Sequence, residues 1–274
     1  MLLTRRAALK GVVATTVGAV TGASAYGVAY ERHHIGTTEA TLPVPGLAPA
    51  LDGLRIGFVT DIHHSAMVPA DDVRAAVALV NAARPDLIVL GGDYVTWGDR
   101  DYVGPVAELL APLTAPHGVF AILGNHDDDR YMPAALSAKH VQVLKDARTR
   151  IEVRGVGLEL AGIRFWTRKS SEIARVVGRA RDTVILLAHD PRRLYEAADL
   201  DLPAVLSGHT HGGQIVLPGV GAVAGRSFPV LSGLGSRHNT WMFVSRGVGT
   251  VYVPIRINCP PEVAIVTLKR TSEI

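Results

Sequence analysis

Leu54-Arg55-Ile56-Gly57-Phe58-Val59-Thr60-Asp61-Ile62-His63 is a short apolar run that ends in two side chains able to bind a metal. The same design returns along the chain: residues 86–90 precede Asp93, 119–123 precede Asn125, 183–188 precede His189, and 204–207 precede His209. Apolar runs of this length read as strands, and segments with helical spacing lie between them. Val73, Val77 and Val80 mark a helix over 71–84, closed by Pro85, and 133–150 reads as a second. Shorter helical candidates are 106–113, 172–181 and 192–198. Strands alternating with helices imply βαβ units, an α/β fold in which ligands gather outside the carboxyl ends of the strands. The polar clusters stand at those ends.

The second half adds strand-like stretches at 150–156, 157–166, 241–245 and 263–269, which predicts a second sheet packed on the first. Residues 212–239, rich in glycine and hydrophobics, read as a hairpin plus a long loop near the site. Trp97, Trp241 and the apolar residues of 228–234 read as core or loop packing, with an acyl-chain groove as the other reading.

The start of the chain has a different character. Arg5, Arg6 and Lys10 occur with no acidic residue, and 11–25 carries no charge, which is the layout of a signal peptide. Thr4-Arg5-Arg6-Ala7-Ala8-Leu9-Lys10 resembles the twin-arginine export signal, with Ala8 where that signal usually has Phe. Ala23-Ser24-Ala25 offers a cleavage site. The alternative is an uncleaved membrane anchor, since 11–30 has about the 20 residues a spanning helix needs. Residues 1–30 are therefore expected to be a signal or anchor, 31–53 a linker, and 54–274 the catalytic domain, exported to the periplasm, the cell wall or the outer face of the cytoplasmic membrane.

With 274 residues, 48% hydrophobic and 19% charged, the chain is long enough for a substantial core. Its one cysteine, Cys259, rules out an internal disulfide. The formal charge of +3 equals the contribution of Arg5, Arg6 and Lys10, so a chain starting at Tyr26 is balanced. No basic run or aromatic ladder supports nucleic-acid binding.

The chemistry lies in Asp61-Ile62-His63, Gly91-Gly92-Asp93, Gly124-Asn125-His126-Asp127, His189 and Gly208-His209-Thr210-His211. Residues i and i+2 of a strand point the same way, so Asp61 with His63, and His209 with His211, are expected to address one site from one element. Imidazole, carboxylate and amide oxygen together suit manganese, iron or zinc. Seven such ligands exceed what one ion needs, and two ions about 3.5–4 Å apart account for the number.

This ordered set resembles the calcineurin-like metallophosphoesterases, whose metallo-dependent phosphatase fold is a four-layer αββα sandwich of two mixed sheets flanked by helices. The ending Arg246-Gly247-Val248-Gly249-Thr250, Pro254-Ile255-Arg256 and Cys259-Pro260-Pro261-Glu262 is similar to small exported bacterial phosphoesterases and, through them, to diacylglucosamine-type lipid pyrophosphohydrolases. The resemblance implies two divalent metal ions: Asp61, His63 and His211 on the first, Asn125, His189 and His209 on the second, and Asp93 bridging. It implies that a metal-bridging hydroxide attacks a phosphodiester or pyrophosphate bond. His126 would protonate the leaving oxygen or stabilise transition-state charge, with Asp127 orienting its ring. Thr96 occupies the place where purple acid phosphatases carry a metal-binding tyrosine, so their colour is not expected. The implied partner is a phosphate ester, envelope or lipid-linked esters included, and association with a membrane is compatible with it. A broad phosphomonoesterase or nuclease uses the same site, and a binding module that has lost catalysis is the reading from another class. His64, one residue past His63, is expected to face solvent or make a supporting hydrogen bond, and Arg256 to pair with Glu262 or contact a phosphate.

Overall fold

The computed structural model of the chain describes residues 5–271. Thr4, the first residue of the stretch that resembles an export signal, lies outside them. A long helix α1 (Arg5–Ala29) leads into strands β1 (Gly36–Pro45) and β2 (Arg55–Val59), helix α2 (Ala70–Ala82), β3 (Leu87–Leu90), α3 (Val103–Leu110), β4 (Val119–Ala121), α4 (Tyr131–Ser137) and β5 (Gln142–Val143). The second half follows as β6 (Ala147–Val153), β7 (Val156–Gly162), α5 (Ser170–Val177), β8 (Thr183–Leu187), α6 (Arg193–Asp199), β9 (Ala204–Ser207), β10 (Val216–Leu217), β11 (Gly221–Ala222), β12 (Gly233–Arg237), β13 (Thr240–Val244) and β14 (Glu262–Thr271).

Two six-stranded sheets form, ordered β1-β14-β2-β3-β4-β5 and β12-β13-β9-β8-β7-β6. Both are mixed: β2 to β5 run parallel with β14 antiparallel beside β2, and β13, β9, β8 and β7 run parallel with an antiparallel strand at each end. The pleat of β3 shows how the layers arise. Leu87 and Val89 point into a core shared with the other sheet, while Ile88 and Leu90 point into a core shared with α2 and α3. Phe58 of β2 and Phe243 of β13 meet edge-on across the inter-sheet layer, ring centroids 6.4 Å apart. The other face of the second sheet is covered by α5 and α6. The expected αββα sandwich is what forms.

Helix α2 has Asp71 and Asp72 in its first turn, where the helix dipole favours negative charge. Its Val73, Ala76, Val77 and Val80 are buried, the one-sided pattern of a helix on a sheet. The second predicted helix, 133–150, is corrected: α4 ends at Ser137, His140 takes a left-handed φ of 62° that breaks the helix, and Ala147–Val153 alternates between more and less exposed residues as strand β6. The linker expected over 31–53 also holds a strand. β1 pairs in parallel with β14 from Gly36↔Glu262 to Pro45↔Thr271 and forms the edge of the first sheet. Its Ala, Thr and Pro content hides it, because an edge strand needs a less apolar face than a central one.

Among the described residues no helix is long and apolar enough to cross a membrane. The end of α1 is built into the domain: Gly27 is buried, its carbonyl accepts the Arg256 N–H at 3.3 Å, and the buried Glu31 accepts the Cys259 N–H at 2.7 Å.

Phe58→Ala empties the centre of the inter-sheet core and is expected to cost about 3–5 kcal/mol. Urea unfolding checks this as a lower midpoint at an unchanged slope.

Candidate metal centre

The ends of β2, β3, β4, β8 and β9 deliver their polar residues to one place between the two sheets. Asp61, His63 and His211 form one group with ligand atoms within 4.8 Å of one another, and Asp93, His189 and His209 form a second. The groups adjoin. His189 Nε2 lies 3.1 Å from Asp93 Oδ2 and 3.8 Å from Asp61 Oδ1, His63 Nε2 lies 3.5 Å from Asp93 Oδ2, and His211 Nε2 lies 3.4 Å from Asp61 Oδ1. Asp93 Oδ2 is thus shared between a ring of each group.

The backbone brings them together by a route that differs from the expected strand alternation. Asp61, His63, Asp93, His209 and His211 all have φ between 50° and 72° and lie beyond their strands. Left-handed residues turn the chain back sharply, so neighbours two apart converge without a pleat. Such strain in non-glycine residues persists only where surrounding bonds hold it. Here Asp61 N donates to Gly92 O and His63 N to Asp93 O, joining the loops after β2 and β3. His209 N donates to both carboxylate oxygens of Asp61 at 3.0 Å, tying the two sheets together. The turns also need close approach: a Cβ on Gly124 would run into the Asp93 carboxylate, and one on Gly208 into that of Asp61.

Three features mark the cluster as one shaped for cations. Asn125 Oδ1 is buried and accepts no hydrogen bond among the described residues, which leaves a strong acceptor free. His189 Nδ1 lies 2.7 Å from Gly91 O and donates to it, so Nε2 is the nitrogen turned to the two carboxylates, a position for either a proton or a cation. His63 Nε2 and His211 Nε2 face each other at 3.1 Å, an arrangement that a shared electrophile between them relieves.

The electrostatics agree. Burial pushes Asp61 up to about 6. Burial acts the same way on Asp93, but the His189 ring beside it outweighs this and holds its carboxyl well below the usual range. Burial works against charge on His189, yet Asp93 and Asp61 prevail and push the ring up to about 10. Burial brings His63 down to about 3 and His209 to about 4, and holds His211 well below an ordinary histidine. The protein alone answers two buried carboxylates with a proton on one ring, and divalent cations fit the same demand better.

His126 stands beside the groups, its ring centroid 4.9 Å from that of His63. Its Nδ1 accepts the Trp97 backbone N–H at 3.0 Å, so the neutral ring carries its proton on Nε2. Asp127 does not orient that ring. Its carboxylate accepts the backbone N–H groups of Asp93, Tyr94 and Gly124 at 2.7, 2.8 and 2.9 Å and so fixes the loops that carry Asp93 and Asn125. Burial, with Asp93 nearby, pushes its carboxyl up to about 7, against the pull of those three donors.

Arg256 meets neither expectation held for it. It is fully buried and donates to the carbonyls of Gly249, Arg246, Gly247 and Cys259, while Arg246 makes the ion pair with Glu262. The loop it clamps lies against Asp61, since Gly249 N donates to Asp61 O at 2.7 Å. His64 is buried, bonded through Nδ1 to Val68 O at 2.9 Å, and Tyr94 turns its hydroxyl to Ile122 O in the core at 2.8 Å. Trp241 packs against the inter-sheet core, whereas the Trp97 ring packs at a tilt against His126, centroids 4.5 Å apart.

The calcineurin-like phosphoesterase family model matches residues 54–213. The chain is 31% identical to the uncharacterized metallophosphoesterase YkuE of Bacillus subtilis over 98% of its own length and 99% of that protein's. It is 32% identical to phosphodiesterase YaeI of Escherichia coli, covering 78% of this chain and 82% of that one. An uncharacterized metallophosphoesterase of Aquifex aeolicus is 30% identical over 94% and 98% of the two lengths.

Gly124→Ala forces Asp93 out of place without touching a core side chain. It is expected to weaken metal affinity by about 10–100-fold, the size of effect seen when groups supporting a ligand are lost. Metal titration followed by elemental analysis measures this, with circular dichroism unchanged.

Proposed function

The chain belongs to the calcineurin-like phosphoesterase family of metal-dependent phosphoric ester hydrolases, and on that premise we propose that it is an exported hydrolase of phosphodiester or pyrophosphate bonds with two divalent cations. Asp61, His63 and His211 hold one cation in this reading, Asn125, His189 and His209 the other, and Asp93 joins them. The observation that carries it is the shared carboxylate. Asp93 Oδ2 stands within 3.5 Å of a ring from each group, and the same site holds a buried Asn125 oxygen with no donor among the described residues.

Cations in such a site act as Lewis acids on a phosphoryl oxygen and lower the pKa of coordinated water towards neutrality. Manganese, iron and zinc all suit the donor set. The chain's own contribution is placement and one hydrogen bond. His126, with its proton held on Nε2 by the Trp97 N–H, is set to donate to an oxygen on which charge develops. This geometry favours charge stabilisation by a neutral ring over transfer of a second proton, because Nδ1 is already occupied as an acceptor. The name of the YaeI relative supports diesters over monoesters as substrates.

Export is proposed from the twin arginines and from where packing begins. Residues 13–23 are exposed while Gly27, two residues past Ala25, is buried, so cleavage after Ala25 keeps that docked end of the helix in the mature protein. An envelope ester, lipid-linked forms included, is the matching substrate.

Asp93→Ala is expected to lose both metal and activity. His126→Ala is expected to keep its metal and lose about 10²–10³-fold in kcat on bis-p-nitrophenyl phosphate. Metal analysis beside both assays decides it, and full activity in metal-free enzyme overturns the reading. Replacing Arg5 and Arg6 together with lysine is expected to hold the chain in the cytoplasm, as read by cell fractionation.

A further inference from the structure

The candidate metal centre opens into a cavity of about 390 Å³ whose character changes along its length. Asp93, Asn125, His126 and His209 line one end. Beyond them the walls are Ile215, Val223, Phe228, Val251, Tyr252 and Val253, none of them charged. Each wall begins at a residue of the centre: Phe228 meets the His209 ring edge-on at 5.3 Å, and on the other side Trp97 packs at a tilt against His126 at 4.5 Å and edge-on against Tyr252 at 5.4 Å.

Several of the polar groups in these walls are already engaged. The Gln214 side chain donates to Val253 O at 2.9 Å and accepts from Val251 N at 3.0 Å, clamping one wall to the other. Thr210 Oγ1 donates to Leu231 O at 2.6 Å. Val223 N donates to Ile215 O, and Val216 N to Ile257 O. A sugar or base placed here would surrender hydrogen bonds to water and find few in return, whereas a hydrocarbon needs only to leave water. The mouth has the same character. Trp97, Tyr252 and Val223 are 67%, 70% and 56% exposed, and large apolar side chains left in water around one opening mark a surface meant to be covered.

Resting on the hydrolase reading above, the geometry points to a subsite for a hydrocarbon chain: the substrate is an amphiphile whose phosphoester lies at the centre while its alkyl or acyl portion runs between the 214–228 and 251–253 walls. Its occupant is the substrate's own chain. Val223 and Val253 set chain preference, and Gln214 holds the two walls at their spacing.

The test uses the full chain loaded with manganese and a series of alkyl p-nitrophenyl phosphodiesters, methyl, butyl and octyl, each below its aggregation concentration. Specificity, kcat/KM, is expected to rise about two- to fourfold per methylene over the first carbons, the fold-change that burying a CH₂ supports. Val223→Asp and Val253→Asp are each expected to flatten that slope, and Val253→Ser provides a milder variant should a charge prevent folding. The same ester series assayed with phosphatidylcholine vesicles distinguishes the source: a slope seen in buffer fits a free amphiphile, and one seen only with vesicles, and lost in the variants, fits a lipid drawn from a bilayer. Equal kcat/KM for all three esters, or a slope that every variant keeps, overturns the subsite and leaves the hydrolase reading standing. Failure to cleave even the methyl ester overturns both.

Discussion

Two carboxylates, Asp61 and Asp93, are buried within reach of the same imidazole, and the rest of the structure answers the cost of that placement. Like charges removed from water repel each other and lose hydration, so they remain only where positive charge and donors compensate them. The Thr60 hydroxyl and the His209 backbone N–H supply donors to Asp61, and the His126 N–H does so for Asp93. What these bonds leave open is filled by rings whose free nitrogens face inward. The centre is therefore shaped as a cage for cations.

Two sheets are needed to build it. Each contributes strands whose carboxyl ends open on the same side, and neither alone carries a full set: the β2, β3 and β4 loops bring both carboxylates, and the β8 and β9 loops bring His189, His209 and His211. The inter-sheet core around Phe58 and Phe243 fixes how far apart those loops begin, and the Asp61 to His209 bonds close the remaining distance. Packing and chemistry are coupled through that one carboxylate.

Much of this was legible in the sequence because glycine, histidine and aspartate at strand ends have few uses other than tight turns and ligation. The α/β alternation followed from runs such as 87–90 that are apolar at every position, and the αββα layering from the family resemblance. What stayed hidden has physical causes. β1 is an edge strand with Thr and Pro in it, so composition did not separate it from a linker. The fate of 133–150 turned on a left-handed His140, a conformation no side-chain pattern announces. Trp97 acts on His126 through its backbone N–H, and Arg256 acts through carbonyls of the neighbouring 246–249 loop, so neither role leaves a trace in residue type. Asp127 lies next to His126 in the chain, but its partners are backbone amides that the sequence cannot rank.

The pairing of β1 with β14 also has a bearing on how the molecule comes into being. Thr38 and Glu262, 224 positions apart in the chain, share a hydrogen bond, and the same Glu262 receives the Ser245 hydroxyl and the Arg246 amide. Contacts of such separation form slowly, because the intervening loop must be closed before they reward it. A nascent chain still emerging from the ribosome lacks the segment that seats the loop behind Asp61. Assembly of the hydrolytic machinery is in this way postponed until β14 has been made.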